Sequence, residues 1–352
     1  VGTRRFEVAD GFEANALFGR NGWTDGLPIV PPTPELVAAA LETALLEPDQ
    51  ILGVEPVRGL AITAEKVAVN AVMAGCRPVD VAVVAAAVEA MCEPAYLLHG
   101  SAASTGGSAP LVIVNGPIRT ALGLNTGANA LGGGGPNAVI GRAVRLVLIN
   151  LLGCRPGVLD QSTLGQPGKV SFCLAEDEDA GPWLPLAQER GVPDGASAVT
   201  VLACAPPRQV MNEWTTVPEE VCDTFAAEIR ANMCGYSIWP GNYVLVIPPQ
   251  LRSILVAAGW RKADVREHVW RRARVTRRQW REWGKGALAD RGDPDQEFAA
   301  LASPDDLLVV TAGGAAGGFA AVIPPWLGNR ARAVTKGIGL CLDCNPKEER
   351  RP

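Results

Sequence analysis

The β-branched run Leu111-Val112-Ile113-Val114, set between Pro110 and Asn115-Gly116-Pro117, has no polar face. A strand of that kind must be covered on both sides, which excludes an open one-sided sheet. Downstream, the glycine-dense stretch from Gly123 to Gly135 feeds an apolar helical pattern from Ala138 to Leu152. Strand, permissive loop and buried helix in series point to α/β layering. The alternation continues along the chain. Strands are expected at Lys169–Ala175, Ala198–Ala203, Tyr243–Ile247 and Leu307–Val310. Helices are expected at Glu35–Leu46, Ala64–Ala74 (capped by Thr63, stopped by Gly75), Val79–Met91, Glu219–Asn232, Leu251–Ala258 and a basic one from Ala263 to about Trp283.

The fold class is therefore α/β, with mixed sheets, flanking helices and two α/β lobes. Residues 1–34, rich in turn formers, read as an irregular arm. The lobes are placed at 35–165 and 166–340, with a polar tail at 341–352. Strand ends at Asn115-Gly116-Pro117, Pro248-Pro249 and Gly313-Gly314 turn sharply and hint at loosely repeated units, without a strict repeat.

The 352 residues, 48% hydrophobic and 20% charged, suit about two globular domains and exclude long-range disorder. The net charge of −5 argues against nucleic acid as a partner. The nine basic residues from Arg261 to Arg281, interleaved with tryptophans, read as a surface helix. No run reaches the roughly 18 to 20 apolar residues that cross a bilayer, so no membrane is expected. Nine scattered cysteines suit reduced thiols. No apolar signal core follows Val1-Gly2-Thr3-Arg4-Arg5, and a cytoplasmic location is expected.

Four segments could carry chemistry. In Leu131–Arg142, the backbone of Gly133, Gly134 and Gly135 could approach a ligand, Asn137 could cap the helix, and Arg142 lies one turn in. A helix start favours a carboxylate or phosphate, although glycines also serve close packing. In Gly168–Asp179, strand alternation would put Lys169 and Cys173 on one face, where a cation would activate the thiol. Glu176 in the acidic run could move protons. His99, one of two histidines, is the default proton-transfer group of a hydroxyl-rich loop in which Thr105 could bind substrate. A lone Cys341-Leu342-Asp343-Cys344 lacks the second ligand pair that zinc needs. No metal site or cofactor is clearly encoded, although Glu176, Glu178 and His99 form a conceivable metal trio.

Several separated phrases share a pattern: Asn21-Gly22-Trp23-Thr24-Asp25-Gly26-Leu27-Pro28, Thr63-Ala64-Glu65-Lys66, Ala71-Val72-Met73-Ala74-Gly75-Cys76, Val114-Asn115-Gly116-Pro117, Ile140-Gly141-Arg142-Ala143, Ser171-Phe172-Cys173 and Pro182-Trp183-Leu184-Pro185-Leu186. Together they resemble a largely uncharacterised bacterial family associated with UGSC-like selenoprotein domains. The Sec/Cys-Gly-Ser-Cys element of that domain is absent. Ala175-Glu176-Asp177-Glu178 stands where the family pattern has Ala-Glu-Asn-Glu.

Two function classes follow. One is a cytoplasmic enzyme or enzyme subunit acting on a small anionic metabolite. Gly133 to Gly135, Asn137, Arg142, Asn115 and Thr105 would bind it, and Cys173, Lys169, Glu176 and His99 would act. The resemblance implies thiol-dependent reductive or lyase chemistry; acid–base hydration or hydrolysis is the alternative. The other class is a non-catalytic partner of a redox selenoprotein. A homo-oligomer is expected in either case.

Overall fold

A computed structural model describes residues 3–339 except 180 and 237. The arm is not wholly irregular: Asp10 accepts from the Glu13 amide and starts helix α1 (Gly11–Arg20). Pro34 opens α2 (Pro34–Thr43), and a hairpin of β1 (Ile51–Glu55) and β2 (Leu60–Thr63) leads into α3 (Ala64–Ala74). Gly75, at φ +92°, ends α3 as expected of a left-handed C-terminal residue. Then come α4 (Val81–Cys92), the short α5 (Leu98–Ala102), β3 (Ala109–Asn115), α6 (Ile118–Leu122) and α7 (Gly135–Leu152). The chain continues with β4 (Cys173–Ala175), α8 (Leu186–Glu189), β5 (Ala198–Cys204), β6 (Arg208–Met211), α9 (Pro218–Gly235), β7 (Tyr243–Ile247) and α10 (Pro249–Ala257). It closes with α11 (Lys262–Arg272), the small pair β8 (Arg274–Thr276) and β9 (Glu297–Ala299), then β10 (Leu307–Thr311), β11 (Phe319–Ile323) and β12 (Val334–Gly337).

Two four-stranded mixed sheets, ordered β12-β5-β3-β4 and β10-β7-β11-β6, pack face to face between helical layers. Period-two alternation explains the unbroken apolar runs. In β3, Val112 and Val114 face α3, α4 and α7, whereas Leu111 and Ile113 join the core between the sheets. In β7, Tyr243, Leu245 and Ile247 face α9 and α11, whereas Val244 and Val246 meet the other sheet.

The sheets share one plan. In each, a central strand has a parallel neighbour (β3 with β4, β7 with β10) and an antiparallel one (β3 with β5, β7 with β11). Each half also lends its last strand to the other sheet. After Pro206-Pro207, β6 pairs with β11; after Pro324-Pro325, β12 pairs with β5. A boundary between residues 165 and 166 therefore cuts through the first sheet, which draws β4, β5 and β12 from beyond it.

Two further segments differ from expectation. Lys169 to Ala175 is not one strand, because Pro167 begins a 3-10 turn through Lys169 and only Cys173–Ala175 is extended. The basic helix breaks after Arg272, where β8 pairs with β9 and Thr276 caps a separate turn of helix. Among the described residues α7 alone has the length and apolarity of a membrane span, and most of it is buried within the protein. Its Arg142 and Arg145 are both engaged in ion pairs, as befits a core helix.

Candidate functional site

The carboxyl ends of β3 and β4 lie side by side, where open α/β sheets place ligands. Both strands stop there for local reasons. After Asn115, Gly116 turns at φ +88°, and a Cβ on it would sit 2.4 Å from the Ala196 carbonyl oxygen. After Ala175 the chain enters the acidic run Glu176-Asp177-Glu178-Asp179, tied to the second sheet by the Asp177 amide, which donates to the Thr311 carbonyl at 2.7 Å.

Glu176 is fully buried and committed. Its carboxylate accepts from Lys262 Nζ at 2.8 Å, Asn115 Nδ2 at 2.7 Å and the Leu186 amide at 2.7 Å. Glu178 accepts from Asn115 Nδ2 at 2.8 Å and from the Gly116 amide at 2.7 Å. Arg119, on α6, lies 3.1 Å from Glu178 and donates to the carbonyls of Gly116 and Glu176. Both amide hydrogens of Asn115 thus point at carboxylates, which only accept, so its orientation is fixed. Its Oδ1 is left buried without a donor among the described residues.

Beside this cluster is a cleft of about 270 Å³, lined by Asn115, Arg119, Glu178, Asp179, Gln188 and Asp194 with the adjoining backbone. No cysteine lines it, and Glu176 lies behind its wall. Arg119 is the residue that sequence reasoning did not single out, and Glu178 entered it only as a conceivable metal ligand with Glu176 and His99, a grouping that does not form among the described residues. The signal was present as a polar turn after one strand and an acidic run after another, but only their parallel pairing brings the two together.

The other expected residues are placed elsewhere. Gly133, Gly134 and Gly135 start α7 in open space: a Cβ on Gly134 or Gly135 would touch nothing within 4 Å. Gly134, not Asn137, is the N-cap. Asn137 is buried and clasps the amide and carbonyl of Asn125. Arg142 does not face the glycine loop; it makes a two-pronged ion pair with Asp25 at 2.8 and 2.9 Å and donates to the Pro28 carbonyl. Burial pushes the Asp25 carboxyl up, but the Arg142 guanidinium outweighs it and holds the pKa below the usual carboxylate range.

Lys169 does not activate Cys173. Its ammonium pairs with the buried Asp160 at 2.7 Å, which also meets Arg145 at 3.3 Å, and it is Cys154 that contacts Arg145. Cys173 lies in the apolar layer beneath α7, where burial pushes its thiol up to about 12. A thiol that far above neutral pH carries almost no thiolate. Alkylation of the native protein with iodoacetamide at pH 7.5, read by mass spectrometry, should leave Cys173 unmodified; rapid labelling would contradict its burial.

His99 sits 3.2 Å from Glu55 of the hairpin and does not join Glu176 and Glu178. Among the described residues no three His, Cys, Asp or Glu side chains are grouped to hold a metal ion. Thr105 is exposed, and its carbonyl accepts from the Thr163 amide. Cys341 and Cys344 lie outside the described residues. No protein-family model matches the chain, and no curated protein or solved structure matches it.

Proposed function

We propose that the protein is an enzyme, or an enzyme subunit, acting on a small polar metabolite held in the cleft at the carboxyl ends of β3 and β4. One observation carries this reading: a buried, orientation-locked Asn115 with an unused acceptor, in the wall of a cleft that also holds a carboxylate and a guanidinium. Nine buried side-chain polar atoms lack a partner among the described residues, and of these the Asn115 oxygen is the one whose residue lines this cleft. A volume of about 270 Å³ suits a metabolite rather than a dinucleotide.

Acid–base chemistry suits the cleft better than thiol chemistry, because its reactive side chains are carboxylate and guanidinium. Glu178, 14% exposed, is the group placed to take or return a proton. Arg119, held by two backbone carbonyls and 3.1 Å from Glu178, fixes the orientation of that carboxylate.

A metabolite library screened by thermal shift tests the reading. Hits should perturb the backbone amide signals of Gly116 and Gly195, and Glu178→Gln should lower turnover of a hit by about 10² to 10⁴ with the fold retained. Hits that all map elsewhere would overturn it.

A second reading, a partner subunit of a redox selenoprotein, draws on the family resemblance and on exposed apolar side chains. Eleven of the 23 exposed large apolar residues described fall within the first 60 positions, Phe12 being 89% exposed. Such surface suits an interface. Phe12→Glu should then abolish co-purification with the redox partner while leaving the cleft intact.

A further inference from the structure

We infer that the group recognised in this cleft is a protonated amine, not a carboxylate or phosphate; this rests on the reading of the cleft as a ligand site. The argument begins with charge. The lining carries Glu178, Asp179 and Asp194 against the single cation Arg119. Behind the wall, Glu176 is balanced by Lys262, and Glu189 is met by Arg266 and Lys262, so neither pair offers the cleft a spare positive charge. Arg119 is itself committed to Glu178 and to two carbonyls. An anion entering here meets a net negative rim and no free guanidinium.

Hydrogen bonding points the same way. Asn115 has spent both donors on Glu176 and Glu178, so only its acceptor is unused. Glu178, an acceptor throughout, stands beside it. Asp179 is 84% exposed at the rim, 3.9 Å from Arg119, and Asp194 is also exposed, its carboxylate accepting from Gln188, so Arg119 meets two of the three carboxylates and the lining stays net negative. The wall thus carries three carboxylates as acceptors, with the Thr120 hydroxyl, itself able to accept, as its exposed side-chain hydroxyl donor, and that balance suits an ammonium group with three N–H donors and no acceptor. The expected anion receptacle at the start of α7 lacks such support, because Arg142 is bound to Asp25.

Three probes with the same four-carbon span separate the possibilities: 1,4-diaminobutane, 1,4-butanediol and succinate. Each is titrated into the full chain at low ionic strength, following the backbone amides of Gly116 and Gly195. The diamine should shift both signals saturably. Asp179→Asn combined with Asp194→Asn should weaken it about tenfold, and added salt should do likewise. Equal binding of diol and diamine would overturn the role of charge. Succinate binding in place of the diamine would overturn the amine class while leaving the cleft as a ligand site. Silence of both amides with all three probes would overturn the inference together with the cleft reading, and hits from the metabolite screen mapping to those amides would restore the latter alone.

Discussion

Lys262→Met is expected to lower the unfolding free energy by about 3 to 5 kcal/mol, because it strands a carboxylate inside the protein. Lys262 and Glu176 have side chains only 3% and 1% exposed, with Nζ and Oε1 2.8 Å apart. The pair joins α11 of the second half to the end of β4 in the first, so the charge cannot escape by local fraying. Methionine fills much of the same space, which separates the electrostatic loss from a cavity. Asn115 and the amides of Leu186 and Thr311 remain as donors to Glu176, but all three are neutral dipoles. The reverse change is unequal, since Lys262 keeps Glu189 at 3.6 Å. Combining Lys262→Met with Glu176→Gln should recover most of the loss, because glutamine retains an acceptor without the charge. Urea unfolding at unchanged m-value reads both effects. A loss below about 1 kcal/mol for the single variant would mean that water reaches the pair and that the two halves are not locked there.

The duplicated plan does not duplicate the chemistry at the strand ends. At the place in the second sheet matching Asn115-Gly116-Pro117, the chain has Pro248-Pro249; where β4 ends in acids, β10 ends in Ala312-Gly313-Gly314. These small and cyclic residues carry no charge to line a site. Gly313 instead packs on Pro248, and its amide donates to the Thr126 carbonyl, so this end is closed by backbone. The second half contributes Lys262 to the first half's carboxylates.

The layering was legible because β3, β7 and β10 are apolar on both faces, a pattern that only covered sheets satisfy. The helix end at Gly75 was legible from the freedom of glycine, which adopts φ +92° there. The swapped strands β6 and β12 were not, since nothing local in four polar-edged residues says which sheet they join. Lys169 and Cys173 were misjudged because two-residue alternation holds only within a strand, and Pro167 sets a 3-10 turn there instead. Arg142 was placed one turn into a helix expected from Ala138; α7 starts at Gly135, so it lies about two turns in, and its partner Asp25 lies 117 positions away, beyond any spacing rule. Both members of that pair belong to the quoted family phrases. So do Gly141 and Ser171, which pack so closely that a Cβ on the glycine would fall 2.3 Å from the serine oxygen. Separated phrases that touch in this way describe a packed scaffold. Of the cleft residues, Arg119 stood outside the reading and Glu178 entered it only as a conceivable metal ligand, because each is ordinary until parallel pairing aligns the two strand ends.

Gly116→Ala should be nearly as damaging as the loss of Lys262, for a different reason. The residue has φ +88°, which costs an L-residue about 1 to 2 kcal/mol. Its Cβ would also stand 2.4 Å from the Ala196 carbonyl oxygen and 2.6 Å from the Ser197 Cα. Both are backbone atoms that no rotamer change can move, so overpacking adds about 1 to 3 kcal/mol. Gly123→Ala supplies the comparison. Gly123 ends α6 at φ +66° with nothing within 4 Å of a Cβ, so it should pay the backbone cost alone. The excess of Gly116→Ala over Gly123→Ala, measured by urea unfolding, isolates the contact between the β3 turn and residues 196–197. The same contact fixes the cleft, because Gly116, Gly195 and Ala196 all line it. A relaxed Gly116→Ala protein must therefore shift the wall away from Asn115, and ligands selected in the metabolite screen should bind it more weakly even after its lower stability is taken into account. Equal stability of the two glycine variants, with unchanged ligand binding, would show that residues 196–197 yield freely and that the cleft wall is not held by this turn.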